Sequence, residues 1–244
     1  MNTTQSSAGL IVILTGAGIS KESGLDTFRD PDGIWAKYNL EDVATPEAFQ
    51  RNPALVQQFY NARRRSLLSE KVRPNAAHTA MAELERRWPG EVLVVTQNID
   101  DLHERAGTRN LIHMHGELLK VRCERSGRVY SWARDLDPEG ACECCGRAGT
   151  LRPHIVWFGE IPFELDRIYP ALMRCNLFIA VGTSGQVYPA AGFVEEVKRY
   201  ARARAVLLNA ERTPLSPLFD EQVIGPASEV VPSYAERLLS EVGH

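Results

Sequence analysis

Leu10-Ile-Val-Ile-Leu-Thr-Gly16-Ala-Gly18-Ile-Ser20 reads as one short strand running into a glycine turn. An apolar run of this length, rich in β-branched residues and bounded by small polar ones, suits a strand buried on both faces of a parallel sheet. Three further runs repeat the pattern: Val92 to Val95, Leu177 to Val181 and Ala205 to Leu208. Each ends in donors or small residues: Thr96-Gln97-Asn98, Gly182-Thr183-Ser184 and Asn209. His78 to Trp88 and Ala190 to Ala203 carry apolar residues at helical spacing between them. Strands alternating with helices indicate an α/β fold with a parallel sheet, in which ligands sit beyond the strand C-termini. Four strand ends of this composition predict one shared crevice.

Two stretches break the rhythm. Residues 30–75 contain no strand pattern and read as short helices, whereas 119–152 hold four of the five cysteines among Gly, Pro and charges. Both read as insertions. The expected organisation is an α/β domain from 1–29, 76–118 and 153–244, interrupted by insertions at 30–75 and 119–152.

A length of 244 residues suits such a domain with an inserted module, and a net charge of −3 gives no nucleic-acid footprint. No apolar segment approaches a membrane span, and the run after the polar N-terminus is too short for a signal-peptide core. A cytoplasmic location is expected, with a monomer as the default state. Five cysteines in a cytosolic chain point to metal or redox chemistry rather than to disulfides.

Gly16 and Gly18 allow a tight turn and close approach of a pyrophosphate to main-chain N–H groups at a helix start. A simple structural turn is the competing reading, because a lone G-x-G is a weak signal. Lys21 stands where the third glycine of a dinucleotide fingerprint belongs. No strand offers the acidic residue that holds a ribose. These departures argue against an ordinary nicotinamide dehydrogenase. Downstream of Gln97-Asn98-Ile99-Asp100 lies His113-Met-His115-Gly116-Glu117, two imidazoles that titrate near neutral pH. Their spacing puts both on one side of an extended segment. His115 is the preferred general base, since the glycine after it permits close approach, with His113 its rival.

The set Gly16-Ala-Gly-Ile-Ser20, Phe28-Arg29, Thr96-Gln-Asn-Ile-Asp100, His115-Gly116, Val156-Trp-Phe-Gly-Glu160, Gly182-Thr-Ser184 and Asn209 closely resembles, in order, the motifs of the sirtuins, NAD-dependent protein lysine deacylases. The branch resembled most is the bacterial CobB-type class III, which includes desuccinylases and demalonylases. The resemblance implies a Rossmann-like large domain, a small module made from the insertions 30–75 and 119–152, and NAD held in the crevice between the two units. It assigns the pyrophosphate to Gly16, Ala17, Gly18, Ile19 and Ser20 and the nicotinamide ribose side to Phe28 and Arg29, with Trp35 also against the cofactor. It puts Gln97, Asn98, Ile99 and Asp100 around the nicotinamide. Gly182, Thr183, Ser184, Asn209, Ala210, Glu211 and Ala227 fall on the adenosine side. Val156, Trp157, Phe158, Gly159, Glu160 and Tyr188 would flank an acyl-lysine peptide bound as an added strand. In the implied reaction the acyl oxygen attacks C1′ of the ribose and releases nicotinamide. His115 then acts as base on the ribose hydroxyls, with Asn98 and Asp100 orienting ribose and water. The products are free lysine and O-acyl-ADP-ribose. Two rivals are a binding module without turnover and ADP-ribosyl transfer to protein.

Asn52 to Leu67 reads as a helix with Asn52 as N-cap and Pro53 in the first turn. Val56, Tyr60, Arg63 and Leu67 share one face. Arg63 there is either a snorkelling side chain or, with Tyr60, a binder for the carboxylate of a succinyl group. The Tyr-x-x-Arg spacing matches the desuccinylase branch, so succinyl-lysine is favoured and acetyl-lysine is expected as well. Pro31 departs from the small Ala frequent in that branch.

Cys142-x2-Cys145 follows Cys123 at the separation of a zinc ribbon, but the first pair lacks its second thiol, since Ser126 stands there. Cys123, Cys142 and Cys145 are the expected ligands of a structural zinc. Cys144 is a fourth candidate with tight geometry. Cys175, just before a strand, is expected to be buried packing.

Overall fold

A computed structural model describes residues 8–25 and 38–242. Phe28, Arg29, Pro31 and Trp35 lie outside the described residues. The main sheet is parallel and six-stranded, in the order β3-β2-β1-β7-β8-β9. Its strands are β1 (Ile11–Thr15), β2 (Val92–Thr96), β3 (Leu111–His113), β7 (Leu177–Val181), β8 (Arg204–Asn209) and β9 (Glu221–Ile224). The four expected runs are its central strands. β3 and β9 are edge strands that the apolar runs did not reveal. They are short and partly polar, and each pairs on one side only.

Alternation along β1 builds two cores. Val12 and Leu14 face one cluster with Ile168, Leu172, Phe193 and Val197. Ile11 and Ile13 face another with Met81, Leu84, Val231 and Leu238. Helices α4 (Ala76–Arg87) and α8 (Ala227–Val242) cover the second face, and α6 (Leu165–Arg174) with α7 (Phe193–Glu196) cover the first. Each fully buried Ile, Leu or Phe contributes about 1.5–3 kcal/mol of transfer free energy. Thr15 pairs with Thr96 on one side and with Val181 on the other, so these strands end level. The chain leaves β1 for β2 on one side and reaches β7 on the other. The β1/β7 junction is therefore the switch point where open α/β sheets bind ligands.

The small unit stacks α1 (Leu40–Val43), α2 (Pro46–Arg51) and α3 (Pro53–Leu67) on an antiparallel sheet of order β5-β4-β6. Its strands are β4 (Gly116–Cys123), β5 (Val129–Ser131) and β6 (Leu151–Ile155). The Asn52 side chain accepts the Leu55 N–H at 3.1 Å, as expected of the N-cap, and Pro53 opens α3. Val56, Tyr60 and Leu67 are buried. The most buried charge on the helix is Arg64, 1% exposed, rather than Arg63. Its Nε donates to the Leu118 carbonyl at 3.0 Å and its NH1 to Asn61 Oδ1 at 2.8 Å. Burial pulls its pKa down to about 10, which leaves it charged at neutral pH. Among the described residues no helix is long and apolar enough to cross a membrane.

Candidate active site

The β1 and β7 turns interlock. Gly16 N–H donates to Val181 O at 3.0 Å and Gly18 N–H to Gly182 O at 2.8 Å. A Cβ on Gly18 would stand 2.7 Å from Gly182 Cα. Gly182 has φ +60, and a Cβ there would stand 2.4 Å from Ile19 N. The glycines are therefore required by backbone-on-backbone contact. Ala17–Ile19 and Lys21–Ser23 are 3₁₀ turns rather than the α-helix start expected after the glycines. Ile19 is fully buried, so only its main chain faces the turn. Gly182→Ala should lower stability by about 1–3 kcal/mol through the left-handed backbone and the clash. A thermal melt checks this, and an unchanged melt would show that the turns can part without cost.

The loop after β2 closes over this junction. Asn98 Nδ2 donates to Gly16 O at 3.1 Å and to Ser20 Oγ at 3.2 Å. Ser20 Oγ donates to Asp100 Oδ2 at 3.0 Å, and the other oxygen of Asp100 accepts the Leu102 N–H at 3.1 Å. Burial raises the Asp100 pKa, and these hydrogen bonds oppose the rise. Gln97 Nε2 donates to Thr183 Oγ1 at 3.2 Å, which ties the loop to the β7 turn.

Beneath the loop lies a further polar set that none of the sequence motifs includes as a site. Thr15 and Thr96 are fully buried, and Thr15 Oγ1 donates to Thr96 Oγ1 at 2.8 Å. Thr96 Oγ1 also accepts the Asn98 N–H at 3.0 Å. His103, on α5 (Leu102–Ala106), meets Thr15 Oγ1 at 3.0 Å through Nε2. The available signal was a threonine closing two adjacent apolar runs.

His115 sits in the turn between β3 and β4. Its Nδ1 lies 3.1 Å from the Gln97 carbonyl oxygen. A carbonyl only accepts, so Nδ1 carries the proton and Nε2 keeps its lone pair. Burial lowers its pKa, so the ring is neutral at pH 7. Gly116 has φ +84, and a Cβ there would stand 2.1 Å from the His154 carbonyl oxygen. That contact locks the residue next to His115. The rival His113 is engaged at both nitrogens, by Asn98 O at 3.3 Å and Glu104 Oε1 at 2.8 Å.

Four thiols, Cys123, Cys142, Cys144 and Cys145, lie within 4.8 Å of one another. Cys123, Cys142 and Cys145 are the three expected ligands, and the geometry adds Cys144. Four sulfurs bound at about 2.3 Å around a tetrahedral zinc stand about 3.8 Å apart. Cys123–Cys145 at 3.9 Å matches that spacing, and Cys142–Cys144 at 3.3 Å is tighter than it. Ser126 Oγ stands 3.1 Å from the Cys144 sulfur, at the rim of the cluster. Cys175 is buried apart from it, as expected, and donates to Leu172 O at 3.2 Å.

Residues 16–189 match the Sir2 family. An NAD-dependent protein deacylase of Escherichia coli strain K12 is 57% identical over 94% of this chain and 82% of its own. One from Pasteurella multocida is 56% identical, covering 94% and 97%, and one from Leishmania major is 54% identical, covering 95% and 96%. A Sir2 homologue solved with NAD superposes with a TM-score of 0.87 at 39% identity, covering 96% of this chain and 90% of that one. A Sir2 structure with a bound acetylated peptide gives 0.77 at 30% identity, covering 96% and 93%.

This chain belongs to the Sir2 family.

The other Sir2 motif residues take these places. Asn209 ends β8, and its Nδ2 donates to Glu211 O at 2.8 Å, with Ala210 exposed between them. Ala227 begins α8 and is buried; Ser184 is half-buried, and Ile99 packs against the helical unit. Val156 is half-buried, Phe158 and Gly159 are exposed, and Tyr188 is 70% exposed. Trp157, 2% exposed, is part of the core, and its indole N–H donates to Tyr60 Oη at 2.9 Å. Glu160 takes a two-pronged bond from Arg152 at 2.8 and 2.9 Å and a third bond from Arg122 at 3.0 Å. The guanidinium carbon of Arg152 lies 3.3 Å from the Trp157 ring centroid. No motif marks Arg152: its partners Glu160 and Trp157 follow it in the chain, and Arg122 joins them through the β4–β6 pairing.

Proposed function

We propose that this chain is an NAD-dependent protein lysine deacylase that removes acetyl and succinyl groups, releasing nicotinamide and O-acyl-ADP-ribose. One observation carries the reading. His115 presents an unprotonated Nε2 beside a loop whose Asn98 and Asp100 are tied to the Gly16–Ser20 turn. The glycine turns, which leave no room for side chains, suit close approach of a dinucleotide. NAD supplies an electrophilic ribose carbon that the acyl oxygen attacks as nicotinamide departs. His115 Nε2 takes the proton from a ribose hydroxyl. Asn98 and Asp100 orient ribose and water. The acyl-lysine protein would lie as an extended strand along Val156 to Gly159 and Tyr188. Zinc, held by the four cysteines, would have a structural role only.

Tyr60 and Arg63 support a second, narrower reading, recognition of the succinyl carboxylate. Burial pushes the Tyr60 hydroxyl up to about 12, against the pull of the neighbouring Arg63 charge, so it stays protonated. It accepts from Trp157 and keeps its own proton to donate. Arg63→Met should therefore lower desuccinylation by about tenfold or more, the weight of one charged hydrogen bond, and leave deacetylation within about twofold. Equal losses on both peptides would remove the carboxylate role.

Mass spectrometry of paired acetyl-lysine and succinyl-lysine peptides, with and without NAD, tests the whole reading. NAD-dependent loss of succinyl with O-succinyl-ADP-ribose establishes both parts. Loss of acetyl alone keeps the deacylase and discards the carboxylate pocket. No loss of either moves the weight to a binding module or to ADP-ribosyl transfer.

A further inference from the structure

Two adjacent carbonyls of the Asn98 loop are gripped by two imidazoles from one extended segment. His115 holds the Gln97 carbonyl, and His113, at the end of β3, lies 3.3 Å through Nδ1 from the Asn98 carbonyl. The opposite nitrogen of His113 meets Glu104 Oε1 of α5 at 2.8 Å. A carbonyl and a carboxylate both accept. A neutral imidazole carries one N–H and can satisfy only one of them, whereas the imidazolium donates to both. The geometry thus selects the charged ring.

We propose that His113 is a positioning residue for the reaction at His115: its imidazolium clamps the Asn98 carbonyl to the Glu104 carboxylate, and its deprotonation releases the loop that carries Asn98 and Asp100. This rests on the deacylase reading above.

The surroundings agree. Glu104 faces the ring from α5, Glu117 from β4 and Asp100 from the loop itself, while His103 adds its ring from the α5 side. Lys120 Nζ binds Glu117 Oε1 at 2.6 Å and moderates that carboxylate. Burial opposes a charge on His113, but the hydrogen bond and charge of Glu104 outweigh it and hold the pKa above the ordinary histidine value. The Glu104 carboxyl is held low by the same contact, against its own burial.

The sign follows. A raised pKa means the clamp is complete at low pH and is lost as pH rises through it. His115 needs the opposite form, neutral, and its pKa is lowered. The two rings therefore bound a plateau, with His115 setting its acid side and His113 its alkaline side.

The test is kcat/KM for NAD against pH for wild type, Glu104→Gln, His113→Ala and His113→Asn, with a melt of each and an NMR titration of the wild-type imidazoles. Glu104→Gln should move the alkaline limb down by about one pH unit, the usual weight of a close counter-ion. His113→Ala should lose about tenfold at neutral pH, consistent with one charge-assisted hydrogen bond. His113→Asn places a non-titrating N–H where Nδ1 stood, so it should recover much of that loss and flatten the alkaline limb. An unmoved limb in Glu104→Gln, an Asn variant no better than Ala, or a His113 ring titrating below the ordinary value would each overturn the clamp. Wild-type protein inactive on every acyl peptide would instead sink the deacylase reading, and the NMR titration would still report the charge on His113.

Discussion

His115→Ala should lower NAD-dependent deacylation by about 10²–10⁴-fold, the usual contribution of a positioned general base. One imidazole nitrogen holds the loop and the other is left for the proton. Its Nδ1–H is spent on the Gln97 carbonyl, so Nε2 is the one basic site it offers. Alanine removes that lone pair and the contact with the Gln97 carbonyl, but the hydrogen bonds that tie Asn98 and Asp100 to the Gly16–Ser20 turn do not run through the His115 side chain. NAD should still raise the melting temperature of the variant. Exchange of labelled nicotinamide into NAD requires only attack of the acyl oxygen and its reversal. It should survive while O-acyl-ADP-ribose formation collapses. Loss of exchange and product in equal measure would mean that His115 acts before nicotinamide leaves, or that it holds the loop rather than moving a proton. The pH profile gives a second check. Burial lowers the His115 pKa, so wild-type activity should fall on the acid side only below the ordinary histidine value. In the alanine variant that limb should vanish from the residual rate.

The four central strands could be read from sequence because a parallel strand covered on both faces must be apolar throughout, and such runs stand out in any window. β3 and β9 escaped because edge strands need apolar residues on fewer sides. β3 even ends on His113, a residue bound to the loop and to α5 rather than to the core. The α3 face was legible from helical spacing, yet Arg63 and Arg64 both fit the core-facing stripe. What buries Arg64 is the Leu118 carbonyl of β4, a partner no local pattern contains. The glycines at 16, 18 and 182 could be read as turn residues, but their reason is mutual: each leaves room for the backbone of the other turn. The Thr15–Thr96–His103 set is likewise tertiary, since it needs parallel register to bring the two hydroxyls level.

Cys142→Ser should release most of the bound zinc and lower stability by on the order of 3 kcal/mol, a small part of what structural zinc contributes to the folding of isolated fingers. For a chain of this size that is a fall in melting temperature of roughly 6–12 °C. Little else holds this end of the small unit. Its buried cluster is Val121, Cys123, Leu136, Cys142 and Leu151, and two of those five are candidate ligands. Cys123 ends β4, and Cys142, Cys144 and Cys145 lie in the loop before β6, so the ion would cross-link two segments otherwise joined by the β4–β6 ladder. Serine keeps the shape but offers a poor zinc ligand. Cys175→Ser is the matched control: that thiol is equally buried but packs in the main-domain core, so its loss should leave zinc content untouched. Elemental analysis and melting of both variants, before and after chelator, separate the cases. Zinc content and melting temperature unchanged in Cys142→Ser would mean the four thiols are not a metal site. Zinc lost with no change in melting would mean the β4–β6 ladder and the α3 contacts suffice without the ion.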